Sequence, residues 1–186
     1  VTEYPYAFTI RYEIRKGGKE LAVRVPGWSS SVTVRRGTDA GSMAEVSDKI
    51  EKGYLYLGTV ETGEIIELQL DDAPEFLYAS PKIPDIQGCV ALQRGPLVYC
   101  FEGADNNGDI LSLTIDDSEP AEAEAFDPKL LNGVTRLKVK AFRKEIPEGL
   151  YSARKLKETP CTAYAVPYYS WGNRGLNEMR VWMTKH

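Results

Sequence analysis

Apolar and polar residues alternate with period two along most of the chain, the pattern of strands buried on one face. In FTIRYEI, Phe8, Ile10, Tyr12 and Ile14 share one side, while Thr9, Arg11 and Glu13 take the other. Gly17 and Gly18 predict a hairpin turn into ELAVRV, where Leu21, Val23 and Val25 point inward and Arg24 outward. PGWSS, from Pro26 to Ser30, breaks that strand before SVTVRR resumes the pattern. GYLYLGTV and EIIELQL follow, with ETGE as the turn between them. APEFLYASPKIPDIQG, from Ala73 to Gly88, is punctuated by prolines and predicts an edge strand or a crossing loop.

CVALQRGPLVYCFEG is the most apolar stretch, two strands bent at Arg94-Gly95-Pro96. EGADNNGD, from Glu102 to Asp109, is a turn cluster and the best candidate for a domain boundary. In DILSLTI beyond it, Leu111, Leu113 and Ile115 fall on one side. The acidic, alanine-rich stretch from Asp116 to Gly133 predicts a loop with at most one or two helical turns. TRLKVKAFR returns to strand character, and residues 145–162 carry too weak a pattern for assignment. YAVPYY and EMRVWM predict the last two strands, joined by SWGNRGLN. Many short strands with no long helical pattern between them predict an all-β fold, an antiparallel β-sandwich of jelly-roll-like kind.

Composition narrows the partners. A chain of 186 residues can bury a real core, and 42% hydrophobic with 27% charged residues is ordinary for a globular protein. The net charge of −4 and pI near 5.2 argue against nucleic acid. Arg35-Arg36 and Lys138 with Lys140 alternate with apolar residues and mark solvated strand faces. No apolar run nears the roughly 18 residues of a membrane span, so no membrane partner is expected. The chain opens at Val1, without methionine or a signal-peptide pattern, inside the patterned TEYPYAFTI. That start suggests a piece of a longer protein whose targeting information lies elsewhere.

Cys89, Cys100 and Cys161 form no CxxC spacing, which supports neither a zinc ribbon nor a disulfide framework, though one disulfide stays open. Cys100, in LVYCFE, fits a small buried hydrophobe. The only histidine is His186, the last residue, a poor base for histidine-dependent catalysis. Of the 27 acidic residues, Glu102 and Asp105 sit at a strand end and Glu178 follows an aromatic cluster. Two acids flanking a scissile bond are the usual glycosidase machinery, but nothing in the spacing brings two together. The favoured reading of these acids is solvation or acceptance from loop amides. The glycines of GNRG and RGP lack phosphate-loop spacing and serve tight corners instead.

The remaining candidate is AVPYYSWGNRGLNEMRVWM, from Ala165 to Met183. Strand alternation would turn Tyr168 and Tyr169 to opposite sides, with Trp171 in a loop followed by Asn173 and Arg174. One reading is a sugar platform, the indole stacking on a ring face while Arg174 or Asn173 binds hydroxyls. The favoured reading has the rings sealing the sandwich end while Arg174 caps carbonyls or pairs with Glu178.

Three stretches together resemble a known family: LAVRVPGW, VALQRGPLVYCFEGADN, and AVPYYSWGNRG with EMRVW. Their order is similar to the C-terminal part of glycoside hydrolase family 127, the β-L-arabinofuranosidase-like enzymes of gut and soil bacteria. The likeness covers nearly the whole chain, with one departure at Leu176-Asn177, where the family usually has Pro-Gly. The resemblance implies a catalytic (α/α)6 barrel N-terminal to this region, as its main partner. That barrel would carry a cysteine nucleophile in a zinc site of cysteines and a glutamate, with a glutamate acid/base. None of those residues maps onto this chain, so no catalytic residue and no cofactor is expected in it. The bacterial setting leaves cytoplasmic and exported placements open.

The resemblance also implies two β subdomains, 1–104 and 105–170, with a terminal strand over 171–186 returning to the first. The leading expectation is a non-catalytic sandwich that supports the barrel in degrading plant polysaccharide or glycoprotein glycans. The alternative is a carbohydrate-binding module using Tyr168, Tyr169 and Trp171, with Asn173, Arg174 and Glu178 beside them. A third is a module whose exposed face packs on the barrel or on a second copy.

Overall fold

The computed structural model describes residues 2–47 and 49–186. Among the described residues the regular elements are strands and single 3-10 turns, and every strand ladder is antiparallel. The chain divides into two compact units, Val1–Asp72 and Ala73–His186.

The first unit carries β1 (Thr9–Glu13), β2 (Lys19–Arg24), β3 (Val32–Gly37), β4 (Ala44–Val46), β5 (Lys49–Glu51), β6 (Tyr54–Val60) and β7 (Ile65–Leu70). They form two sheets, ordered β1-β7-β3-β4 and β2-β6-β5. One apolar core joins Val34, Ile66 and Leu68 of the first sheet to Leu55, Leu57 and Val60 of the second. Ile10, Tyr12, Ile14, Leu21, Val23 and Val25 pack against it, the inward rows the alternation assigns. Burial of a side chain such as Ile66 or Leu68 stabilises by roughly 1.5–3 kcal/mol, which the polar alternate positions do not offset.

The connections differ from expectation. Gly17-Gly18 closes no hairpin, because β1 pairs with β7 and β2 with β6. The turn instead carries the chain from one sheet to the other, as does the ETGE turn between β6 and β7. Alternation reports which face is buried and is the same for a hairpin and a sheet-to-sheet crossing. The two crossings zip together: Gly18 N donates to Val60 O and Gly63 N to Ile14 O, both at 2.8 Å. Gly17 is required there, since a Cβ would lie 2.3 Å from the Thr62 nitrogen.

The second unit carries β8 (Pro74–Tyr78), β9 (Cys89–Arg94), β10 (Leu97–Glu102), β11 (Leu113–Ile115), β12 (Glu122–Ala123), β13 (Leu137–Lys144), β14 (Glu158–Pro167), β15 (Met179–Arg180) and β16 (Met183–Thr184). A single sheet runs β11-β13-β14-β10-β9-β16, with β8 also on β9, β12 on β13 and β15 on β10. Ile115 bridges Lys185, and His186 N donates to Ile115 O at 2.8 Å, so the sheet curls round to β11. Inside the curl lie Leu92, Tyr99, Phe101, Leu113, Ile115, Leu137, Ala165 and Met183. The proline-punctuated stretch is an edge strand, β8, and the RGP corner joins β9 to β10 as a hairpin. Leu111 departs from its expected row and is exposed, because regular pairing starts only at Leu113.

The expected division at 104/105 falls inside this second unit. β10 is hydrogen-bonded to β14, so the Glu102–Asp109 turn cluster is a bend within one sheet. The terminal strands pair with β10 and β9, which lie within residues 1–104, the stretch to which the terminal strand was expected to return.

Candidate functional site

β14 delivers the aromatic segment. The strand ends at Pro167, and Tyr168–Ser170 makes a 3-10 turn rather than continuing the strand. The alternation argument for Tyr168 and Tyr169 therefore lapses, and both face solvent. Tyr168, Tyr169 and Trp171 are 45%, 56% and 43% exposed, too open to seal a core. The Tyr168 and Trp171 rings lie 6.3 Å apart with planes tilted by 30°. Gly172 and Gly175 hold positive φ values of 78° and 86°, the left-handed backbone that lets the loop fold back on itself. Asn173 closes the inner bend, its Nδ2 donating to Ser170 O at 2.9 Å.

The loop is anchored by buried charge. The Arg174 guanidinium reaches both Glu102 and Asp105, with Nη1 to Asp105 Oδ1 at 2.7 Å. Glu102 is 0% exposed. Its other oxygen accepts from Gly172 N at 3.0 Å, so one carboxylate grips the loop through side chain and backbone. The Asp105 hydrogen bond, with help from Glu102, pushes the Arg174 pKa up and keeps it charged. The expected Arg174–Glu178 pair does not form. Glu178 Oε2 instead accepts from Ile110 N at 3.0 Å, and its carbonyl accepts from Gly103 N at 2.8 Å. Asn177 accepts from Ala104 N at 3.3 Å. The neighbouring Leu176 is fully exposed.

Sequence reasoning missed the second layer. Asn106 donates to the carbonyls of Glu102 and Tyr164 at 2.8 and 2.9 Å and accepts from Tyr164 N at 2.9 Å. Arg136 lies 3.6 Å from Asp105, pairs with Glu124 at 2.7 Å, and sits 4.2 Å over the Tyr164 ring. Arg143 donates to the carbonyls of Asn106 and Asp109, both at 2.8 Å, fixing the turn cluster. The signal for these contacts was the polar density of EGADNN, but the partners lie far away in sequence.

The chemistry open to this arrangement is limited. Glu102 and Asp105 do converge, but both on Arg174, which bonds to each. Burial, reinforced by the Glu102 charge, pushes the Cys100 thiol up to about 12, so it is no thiolate nucleophile at neutral pH. Burial also raises the Cys161 thiol. All three cysteines are free. Among the described residues no group of three or more His, Cys, Asp or Glu converges as a ligand set. The loop offers exposed rings with hydrogen-bonding groups at its base.

Comparison with known proteins supplies the context. The pattern of the glycoside hydrolase family 127 C-terminal domain matches residues 74–184, nearly the second unit. A non-reducing end β-L-arabinofuranosidase of Bifidobacterium longum subsp. longum is 36% identical over 177 residues, covering 89% of this chain and 26% of the relative. A family 127 β-L-arabinofuranosidase structure from Geobacillus stearothermophilus T6 superposes on 100% of the chain, with a TM-score of 0.87 and 32% identity. A second family 127 β-arabinofuranosidase structure also superposes on 100%, with a TM-score of 0.84 and 26% identity. The chain spans 30% and 31% of those two structures' lengths, and about a quarter of the curated relative's.

Proposed function

Because the chain belongs to glycoside hydrolase family 127, its second unit matching that family's C-terminal domain, we propose that it is the non-catalytic β-sandwich module of a β-L-arabinofuranosidase-like enzyme. Its role is to support a catalytic barrel, the barrel and not this chain carrying zinc and the hydrolytic residues. One observation carries the reading: the convergent acids, Glu102 and Asp105, are consumed by Arg174 in holding a loop. Both carboxylates are engaged by Arg174, and Glu102 also by the Gly172 amide, so they do not form an open pair flanking a substrate bond.

The exposure of Tyr168, Tyr169 and Trp171 favours a second reading, in which the module also binds carbohydrate through these rings. Tilted rings beside Asn173 present stacking faces to a sugar. One preparation tests both readings. The 186-residue chain, incubated with an arabinofuranoside, should release no arabinose, and robust turnover overturns the non-catalytic role. Titration with arabinose-containing oligosaccharides should quench tryptophan fluorescence, and the change should vanish in Trp171→Ala. A flat titration ends the second reading and leaves the first standing.

A further inference from the structure

β13 and β14 form a hairpin paired in register from Leu137↔Ala165 to Lys144↔Glu158. The connecting loop, residues 145–157, has no regular element but is closed at its base. Glu145 N donates to Lys157 O at 2.9 Å, and Arg154 pairs with the Glu145 carboxylate. Ser152 tightens the far limb, its hydroxyl donating to Arg154 O at 3.1 Å. On this braced loop Leu150 and Tyr151 are each 93% exposed and Ile146 is 77% exposed. Single exposed apolar residues are ordinary, but Leu150 and Tyr151 side by side at the far end of this loop, with Ile146 near its base, make an exposed apolar group of the kind that marks an interaction site.

We propose that this hairpin tip is a docking arm that inserts Leu150 and Tyr151 into an apolar pocket on the remainder of the same polypeptide. The proposal rests on the reading of the chain as a module of a larger glycosidase, and it names the surface through which the module is held. Two observations choose this occupant over a second copy. The chain spans only 26–31% of the length of its relatives, so most of the polypeptide in those proteins lies outside this stretch. So small a group also falls far short of the roughly 1,000 Å² that a stable interface between separate molecules needs. Within one polypeptide the covalent tether supplies an effective concentration on the order of millimolar, so a small contact suffices.

Hydroxyl-radical footprinting, read residue by residue, tests the arm in the full-length protein and in the 186-residue chain side by side. Tyr151 and Leu150 should label freely in the chain alone and be protected severalfold in the full-length monomer. The double variant L150D/Y151D should leave the melting of the isolated chain unchanged and lower that of the full-length protein. Equal labelling of Tyr151 in both forms overturns the arm. Protection that disappears on dilution, together with a dimer in sedimentation, assigns the tip to a second copy and overturns it as well. If Tyr151 stays labelled while other residues of the chain become protected, the arm fails and the module reading survives. If no residue becomes protected, both fail.

Discussion

Each unit is held by an arginine gripping carboxylate, and the two grips differ in what water can reach. In the first unit Arg36, on β3, donates to Glu64 Oε1 and to the Leu57 carbonyl, both at 2.6 Å. β3 belongs to one sheet and Leu57 to the other, so Arg36 stitches the sandwich together. The two side chains keep 20% and 14% of their exposure. In the second unit Arg174 lies over Glu102 and Asp105, which retain 0% and 6%. Arg36 fastens sheet to sheet, whereas Arg174 fastens a loop bearing solvent-facing rings. The same ion-pair chemistry therefore carries different risks. A carboxylate that water can reach tolerates the loss of its partner, and one sealed from water does not.

The largest effect should come from Arg174→Met. It strips the guanidinium from the fully buried Glu102 carboxyl and leaves it only amide donors, a loss on the order of 3–5 kcal/mol. Denaturant unfolding measures the loss, and amide exchange locates it in β10, β14 and the 168–178 loop. Arg174→Lys should recover only part, because an ammonium is a point charge and cannot fork between two carboxylates. A cost below about 1 kcal/mol for Arg174→Met, the range of exposed pairs, would dissolve the distinction between the two grips.

The contrast also explains what the sequence could disclose. The inward rows of β1 and β2 were legible because each strand carries its own alternation, whatever it pairs with. The pairing of β1 with β7 was not, since the Gly17-Gly18 turn looks the same whether the chain doubles back or crosses to the facing sheet. At the site, Glu102, Asp105, Arg174 and Glu178 were all visible as candidates, yet their partners were not. Arg174 meets Asp105 across 69 residues and Glu102 across 72, a separation that only the β10–β14–β15 ladder closes. The exposure of Tyr168 and Tyr169 was lost for a local reason: the 3-10 turn after Pro167 ends the strand periodicity on which their inward and outward assignment depended.

Arg36→Met should cost less, about 1–2 kcal/mol, because its hydrogen bonds to a charged partner are partly replaced by water at Glu64. Amide exchange should rise in β3, β6 and β7 and stay unchanged in β10 and β14. Faster exchange in the second unit would show that the two grips do not act on separate cores.

The smallest effect is the pH dependence of that same difference. The Arg36 hydrogen bond is the main cause holding the Glu64 carboxyl below its ordinary value of 4.5. A carboxyl depressed in the folded state contributes stability in full above its unfolded value, and that contribution is lost as pH falls through the folded one. The stability gap between wild type and Arg36→Met should therefore hold steady at neutral pH and narrow below about 4.5. Asp116 and Asp117 are also depressed, by Ser118 and Lys185 respectively, but they are common to both proteins and cancel in the difference. Urea unfolding of both proteins at pH 7 and pH 3 reads the gap. A gap of equal size at the two values would mean that Arg36 stabilises through the Leu57 carbonyl and its packing rather than through the Glu64 charge.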